Sequence, residues 1–280
     1  MAVTDFKDKV AAITGAGSGM GQALAILLAQ RGCHLSLADV NERGLQTTVD
    51  QIGTAVTTTV QRVDMADRAA VEAWAAATVA DHGRVNLIFN NAGVSVTGNA
   101  EQMPFEDMQW LMNINFWGVV YGCRAFLPYL HEVPEAAVVN TSSIFGSLAF
   151  PTQSIYNASK FAVRGYTYAL RQELKNTGIG VSCVQPGGVK TNIVRASRII
   201  PTDNTSANRD DFIQRFDELA GLTSLEAAER ILKGVLKNKA QILVGKDAKL
   251  MAWIERIFPT AYLGRVDNFL ENDAADSAKV

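Results

Sequence analysis

From Val10 onward the sequence alternates short apolar runs with longer amphipathic ones, and few folds accommodate that rhythm. Val10–Thr14 reads as a strand, and Gly21–Arg31 as a helix with Ala23, Leu24, Leu27 and Leu28 on one side. The alternation continues through Leu35–Ala38, Asn41–Ile52, Val56–Val63, Asp67–His82 and Val85–Asn90. A long helical stretch, Glu106–Leu130, precedes Ala137–Ser142, Ser154–Asn176 and Ile179–Gln185. Strands this apolar are buried on both faces. The chain is therefore expected to be α/β, a single Rossmann-type doubly wound parallel sheet flanked by helices on both faces. Ligands of such sheets bind beyond the strand C-termini, near the point where strand order reverses.

The rhythm loosens at Asn192–Leu222, where Pro201, Thr202, Asp203, Asn204, Thr205 and Ser206 form a polar, turn-rich cluster. Such a break predicts an insertion or mobile substrate loop. Ser224–Lys237 resumes as a helix with Ser224 as its expected N-cap. Gln241–Val244 reads as a strand, Lys249–Phe258 as an amphipathic helix and Glu271–Val280 as a frayed tail. With no repeat and no linker, residues 1–280 are expected to form one domain. It would carry a substrate loop at about 192–222 and an amphipathic extension at about 246–280.

A net charge of −2 gives no electrostatic basis for binding nucleic acid. Cys33, Cys123 and Cys183 are widely separated in apolar contexts and read as small core residues. His34, His82 and His131 are equally scattered, so no metal site is expected. The first residues lack the apolar core of a signal peptide, and no apolar run reaches the ~18 residues of a membrane span. A cytoplasmic setting is the expectation.

The first strand runs into Thr14-Gly15-Ala16-Gly17-Ser18-Gly19-Met20-Gly21 and then a helix. Glycines let the backbone approach a phosphate, and a helix N-terminus offers free N–H groups and positive potential. The spacing is Thr-Gly-x-x-x-Gly-x-Gly, neither the G-x-G-x-x-G pattern nor a P-loop. A tight structural turn is the competing reading. Asp39 ends the second strand, where an acid can bind ribose hydroxyls and repel a 2′-phosphate, or else cap the next helix. No cation adjoins it, Ser18 is neutral, and Arg43 lies one turn on, so NAD is favoured over NADP. Asp64 could bind the adenine amino group or cap a helix. Asn90-Asn91-Ala92-Gly93 could line a flat cofactor or merely turn the chain.

Tyr156 and Lys160 stand four residues apart, on one face of a helix. A phenol titrates near 10, too high for a proton shuttle at neutral pH. A nearby ammonium, and a place in the helix's first turn, are both expected to lower it. Ser143 stands thirteen residues before the tyrosine. Each feature alone occurs in many unrelated helices and loops.

In the order Thr14–Gly21, Asn90–Gly93, Asn115, Ser143, Tyr156-x-x-x-Lys160 and Pro186-Gly187-Gly188-Val189-Lys190-Thr191, these residues resemble the short-chain dehydrogenase/reductase family. The resemblance spans residues 7 to about 194. It implies that Tyr156 carries the proton, Ser143 binds the substrate oxygen and Lys160 binds the nicotinamide ribose and lowers the tyrosine pKa. Asn115 would support a water-linked proton path. Cofactor contacts are implied for Gly15, Ser18, Gly19, Met20, Gly21, Asp39, Asp64, Met65, Asn91, Ala92 and Gly93. Pro186 and Gly187 would lie under the nicotinamide, with Val189 and Thr191 on its carboxamide. The implied activity is NAD-dependent interconversion of a secondary alcohol and its ketone. A homodimer or homotetramer built on the long helices 106–130 and 154–176 is implied too.

Ile144, Phe145, Leu148, Phe150, Ile193, Val194, Ile199 and Ile200 suggest a medium-sized hydrophobic substrate, with cyclic or steroid-like shapes among those expected. Core packing accounts for the same residues. Two rivals stand: an NADP-dependent 3-oxoacyl thioester reductase, and a non-catalytic NAD-sensing relative. For the stripe Leu250–Phe258 with Tyr262 and Leu263, cover over the substrate site competes with a subunit contact and membrane-surface attachment, and core packing or a subunit contact is preferred. Lys246, Lys249, Arg256 and Arg265 keep membrane-surface binding open.

Overall fold

A computed structural model of the chain describes residues 2–200, 213–214, 218 and 220–263. The cluster 201–206 and the tail 271–280 lie outside the described residues. The structure is built on a seven-stranded, all-parallel sheet. Its strands are β1 (Val10–Thr14), β2 (His34–Asp39), β3 (Thr58–Arg62), β4 (Leu87–Asn90), β6 (Ala136–Thr141), β7 (Ile179–Pro186) and β11 (Gln241–Val244). Across the sheet they lie in the order β3-β2-β1-β4-β6-β7-β11. From β1 the chain winds outward through β2 and β3, then returns to β4 and winds the other way. The reversal falls between β1 and β4, which pair through Ala11–Leu87, Ala12–Ile88 and Ile13–Phe89.

Alternate residues of each strand feed two cores, which is why the strands are apolar throughout. Ala11, Ile13, Leu35, Leu37, Leu87, Phe89 and Val139 pack on one side with α1 (Gly19–Ala29), α2 (Glu42–Ile52) and α7 (Ser224–Leu236). Ala12, Ala38, Ile88, Val138 and Val181 pack on the other with α3 (Arg68–His82), α5 (Gly118–Leu130) and α6 (Ser154–Glu173). Ser36 is a polar exception on β2, and it accepts the Trp74 indole N–H at 2.9 Å. All three cysteines are buried, and burial pushes each thiol up to about 12, which leaves them unreactive.

Three local readings are corrected. The stretch 106–130 is interrupted: α4 (Phe105–Met112) passes through a π-helical turn, Asn113–Trp117, into α5. The N-cap of α7 is Thr223, whose hydroxyl accepts from Glu226 N at 3.2 Å in a capping box. Ser224 instead donates to Lys190 O at 2.8 Å. The two ends of the expected loop are strands. β9 (Arg198–Ile199) pairs with β5 (Val96–Thr97), and β10 (Leu222–Thr223) pairs with β8 (Val189–Lys190). A further helix, α8 (Lys246–Ile257), follows β11.

Candidate active site

The expected site residues gather along the C-terminal edge of the sheet. Thr14 ends β1, Asp39 ends β2, Asn90 ends β4, Thr141 ends β6 and Pro186 ends β7. At the reversal, Thr14 ties two loops together. Its hydroxyl donates to Phe89 O at 3.3 Å and accepts from Asn91 N and Ala92 N, both at 2.9 Å. Gly15 turns with φ +66°, and a Cβ there would press on Ala92 Cα at 2.9 Å. A side chain at Gly21 would collide with Gly15 O. Ser18 precedes α1 with extended backbone and no side-chain cap, so the helix N–H groups stay available to a ligand.

Asp39 accepts from Gly17 N and from Asn41 N, both at 2.9 Å. Asn41 caps α2, accepting from Gly44 N at 3.0 Å, so the capping alternative for Asp39 is wrong. The same holds for Asp64. Asp67 caps α3, while Asp64 is exposed and turns the chain through Ala66 N at 2.9 Å. Met65 is buried beneath Gly118. Arg62, in register with Asp39 on β3, is a cation at this end that the sequence did not single out. The buried Asn91 amide oxygen has no hydrogen-bond partner among the described residues. Glycine turn, open helix end, terminal carboxylate and unpartnered amide suit a dinucleotide with its pyrophosphate on α1.

Deeper along the edge, four side chains converge. Tyr156 lies in the first turn of α6, partly buried and hydrogen-bonded to Ser143. Lys160 is buried, its Nζ donating to Thr141 O at 3.2 Å and lying 5.5 Å from the Tyr156 ring centroid. Asn115 is fully buried in the π-helical turn. Its Oδ1 accepts from Val94 N at 2.8 Å, and its Nδ2 donates to Val94 O at 2.9 Å and Ser159 Oγ at 3.3 Å. Gly93 keeps the space between them clear, because a Cβ there would lie 3.3 Å from Asn115 Oδ1 and 3.4 Å from Lys160 Nζ.

The electrostatics differ from expectation. Burial pushes the Tyr156 phenol up to about 12, against the opposite pull of its Ser143 hydrogen bond. Burial lowers the Lys160 ammonium to about 8. The expected downward shift of the phenol does not arise from the protein's own groups, because burial outweighs the one opposing contact, the Ser143 hydrogen bond.

Beneath the third loop, Gly187 N donates to Val244 O at 2.9 Å, and Gly188 N to Asp247 Oδ2 at 2.6 Å. A side chain at Gly187 would run into the Asp247 carboxylate. Sequence reasoning missed Asp247, 59 residues from its partner with no local motif to mark it. Val189 is buried, and Thr191 approaches Gly19 across a groove of about 340 Å³ lined also by Gln22, Lys190, Asn192 and Ser224.

On the side expected to face the substrate, Phe145 packs against Phe150 at 4.5 Å and edge-on to Tyr156 at 5.8 Å. Val94, Val96, Met103, Leu111, Ile155, Tyr156 and Ile200 form a small apolar cluster of their own. Gln153 is buried and donates to Thr97 Oγ1 at 2.8 Å, so it braces the wall. Ile200 N donates to Thr97 O at 2.8 Å, and the Arg198 guanidinium lies 3.6 Å from the Trp110 ring centroid while pairing with Asp107 at 2.6 Å.

Residues 9–199 match the family described as short chain dehydrogenase. This chain is a short-chain dehydrogenase/reductase. It is accordingly an oxidoreductase of the CH–OH/ketone type. Among its relatives, a Mycobacterium tuberculosis protein called the oxidoreductase SadH is 42% identical over 265 residues, 93% of this chain and 94% of that protein. Levodione reductase of Leifsonia aquatica is 35% identical over 218 residues, 75% of this chain and 81% of its own length. A solved short-chain dehydrogenase/reductase of Burkholderia phymatum, in complex with NAD, superposes with a TM-score of 0.84 at 34% identity, covering 91% of this chain and 95% of that one.

Proposed function

We propose that this short-chain dehydrogenase/reductase uses NAD to interconvert a medium-sized hydrophobic secondary alcohol and its ketone, with residues 1–280 acting as one domain. The observation that carries the reading is the convergence of Ser143, Tyr156, Lys160 and Asn115 beside an apolar wall, at the end of the glycine-lined edge. Bound NAD supplies the hydride acceptor, and its reduced form the donor.

In oxidation, Tyr156 Oη takes the proton from the substrate hydroxyl while Ser143 Oγ holds that oxygen. In reduction the phenol returns it. Keeping the phenol high suits the acid role, and a cationic nicotinamide beside it would pull it down for the base role. Lys160, with a pKa of about 8, can hold a ribose hydroxyl and pass protons onward. Asn115 acts by position: its amide is committed to Val94, and a π-helical turn departs from regular i→i+4 backbone pairing. Asp39 would take the adenosine ribose, which supports NAD. Arg62 and Arg43 make the comparison with NADP necessary. A relative named for a dione is in keeping with a ketone substrate. A homodimer or homotetramer through α5 and α6 is supported by exposed Trp117, stacked on Tyr121, and exposed Phe161.

Following absorbance of the reduced cofactor with NAD⁺ and NADP⁺ side by side, across secondary alcohols of increasing size, tests the reading. Turnover should favour NAD⁺ and hydrophobic alcohols. Turnover confined to polyols, or to NADPH with acyl thioesters, would overturn it.

A further inference from the structure

Among the described residues, five of the twelve exposed large apolar side chains fall between 250 and 263: Leu250, Trp253, Ile257, Phe258 and Leu263. They are not scattered. On α8 the exposed positions are Lys246, Lys249, Leu250, Trp253, Arg256 and Ile257, which recur at three- and four-residue steps and so form one stripe. Core packing therefore does not account for this stripe.

The charges on the helix are sorted by face. Both of its acids are engaged toward the protein. Asp247 accepts from Gly188 N at 2.6 Å, and Glu255 pairs with Arg164 at 3.2 Å. The outward stripe keeps three cations and no carboxylate. Two copies meeting through this stripe about a two-fold axis would set cations against cations with no acid to pair them. An anionic surface has the complementary charge. Apolar side chains around a tryptophan, flanked by Lys and Arg, are the composition of a helix that lies in a lipid headgroup layer.

We propose that α8 docks this enzyme on an anionic lipid surface, with Leu250, Trp253 and Ile257 entering the headgroup region and Lys246, Lys249 and Arg256 against the phosphates. Spanning is not involved, since no helix among the described residues is long and apolar enough to cross a membrane. The inner side of the docking helix is braced on the segment that carries the substrate wall. Ala149 N donates to Tyr262 Oη at 3.0 Å just beyond α8, and the Arg164 that holds Glu255 also donates to Gly146 O at 3.1 Å. Docking would hold the Phe145–Phe150 wall close to the bilayer, with α8 between them, and calling it a substrate wall rests on the functional reading above. The docking itself does not.

The experiment is co-sedimentation of the full chain with phosphatidylcholine vesicles, with and without phosphatidylglycerol. The protein should pellet with the anionic vesicles and be released at about 1 M salt, where screening shortens to about 3 Å. Lys246→Gln/Lys249→Gln/Arg256→Gln should weaken partitioning about 100-fold, at about fivefold per charge. Leu250→Ser/Trp253→Ser should do so at unchanged surface charge. Both variants alter exposed side chains and should melt like the parent. Absence of pelleting at low salt overturns the proposal, as does equal pelleting with neutral vesicles. A fall in oligomeric mass for the Leu250→Ser/Trp253→Ser variant by light scattering would make the stripe a subunit contact instead.

Discussion

The glycine-lined edge proposed for the cofactor and the apolar wall proposed for the substrate are built by different means. Along the edge, backbone does the holding: Gly15, Gly17, Asn91, Ala92 and Gly188 are fixed through their own N–H groups or their lack of a side chain. Along the wall, side chains hold side chains across long sequence gaps, as with Gln153 on Thr97 and Arg198 on Trp110 and Asp107. The edge therefore tolerates few substitutions and suits a ligand of constant shape. The wall can be rebuilt residue by residue, which is where specificity is free to vary. Tyr156 sits at the seam, on α6 with its ring against Phe145 and its hydroxyl on Ser143.

The largest expected break is at that seam. Tyr156→Phe should lower turnover by about 10³-fold, in the range of lost general acid–base catalysis, while leaving NAD affinity by fluorescence titration unchanged. Lost NAD binding would mean the ring belongs to the cofactor side. Lys160→Met should lower turnover about 100-fold and yet raise stability at pH 7. The folded-state pKa of about 8 lies below the ordinary lysine value of 10.5, so the buried ammonium costs stability below about 8. As pH rises from about 8 toward 10.5 the folded state has already lost this proton and the cost fades. Thermal melts should therefore show the variant about 4 °C above the parent at pH 7, and level with it by pH 10.5.

Asp39→Ala removes two charge-assisted backbone bonds and the ribose acceptor. The Michaelis constant for NAD⁺ should rise about 30-fold, with a smaller change for NADP⁺. Asp247→Ala should raise the same constant about tenfold with little change in turnover, because it frees the Gly187–Gly188 turn without touching substrate. If turnover falls instead, that turn belongs functionally to the wall. Arg198→Met is the mildest: loss of the Trp110 and Asp107 contacts should shift the alcohol Michaelis constant about threefold and leave the cofactor constants alone.

This contrast also explains what could be read from the chain before its structure. Strand–helix alternation and the glycine spacing are local patterns, so the sheet, its helices and the edge residues were legible. Ser143, Tyr156, Lys160 and Asn115 were legible as a set because each sits in its own short motif. Asp247, Arg62 and the Arg198–Trp110 latch were not, since each gains meaning only from a partner that topology brings near. The direction of the Tyr156 shift was misread for a related reason. Helix position and spacing are visible in sequence, but the depth of burial that raises the phenol is not. The capping alternatives left open for Asp39 and Asp64 fell instead to Asn41 and Asp67, which stand close by and share the same side-chain chemistry.

The wide turn at Asn113–Trp117 acts as a phase shifter in an otherwise continuous rod. One surplus residue advances everything after it by roughly 100° around the axis. Before the turn, Leu111 looks into the apolar cluster around Tyr156; after it, Val119, Cys123 and Phe126 look into the sheet. Regularising the rod by deleting one residue would force a choice between those two outlooks and would swing Asn115 away from Val94. The chain thus carries in this single irregularity a register that point substitutions cannot reset, only a change in length can.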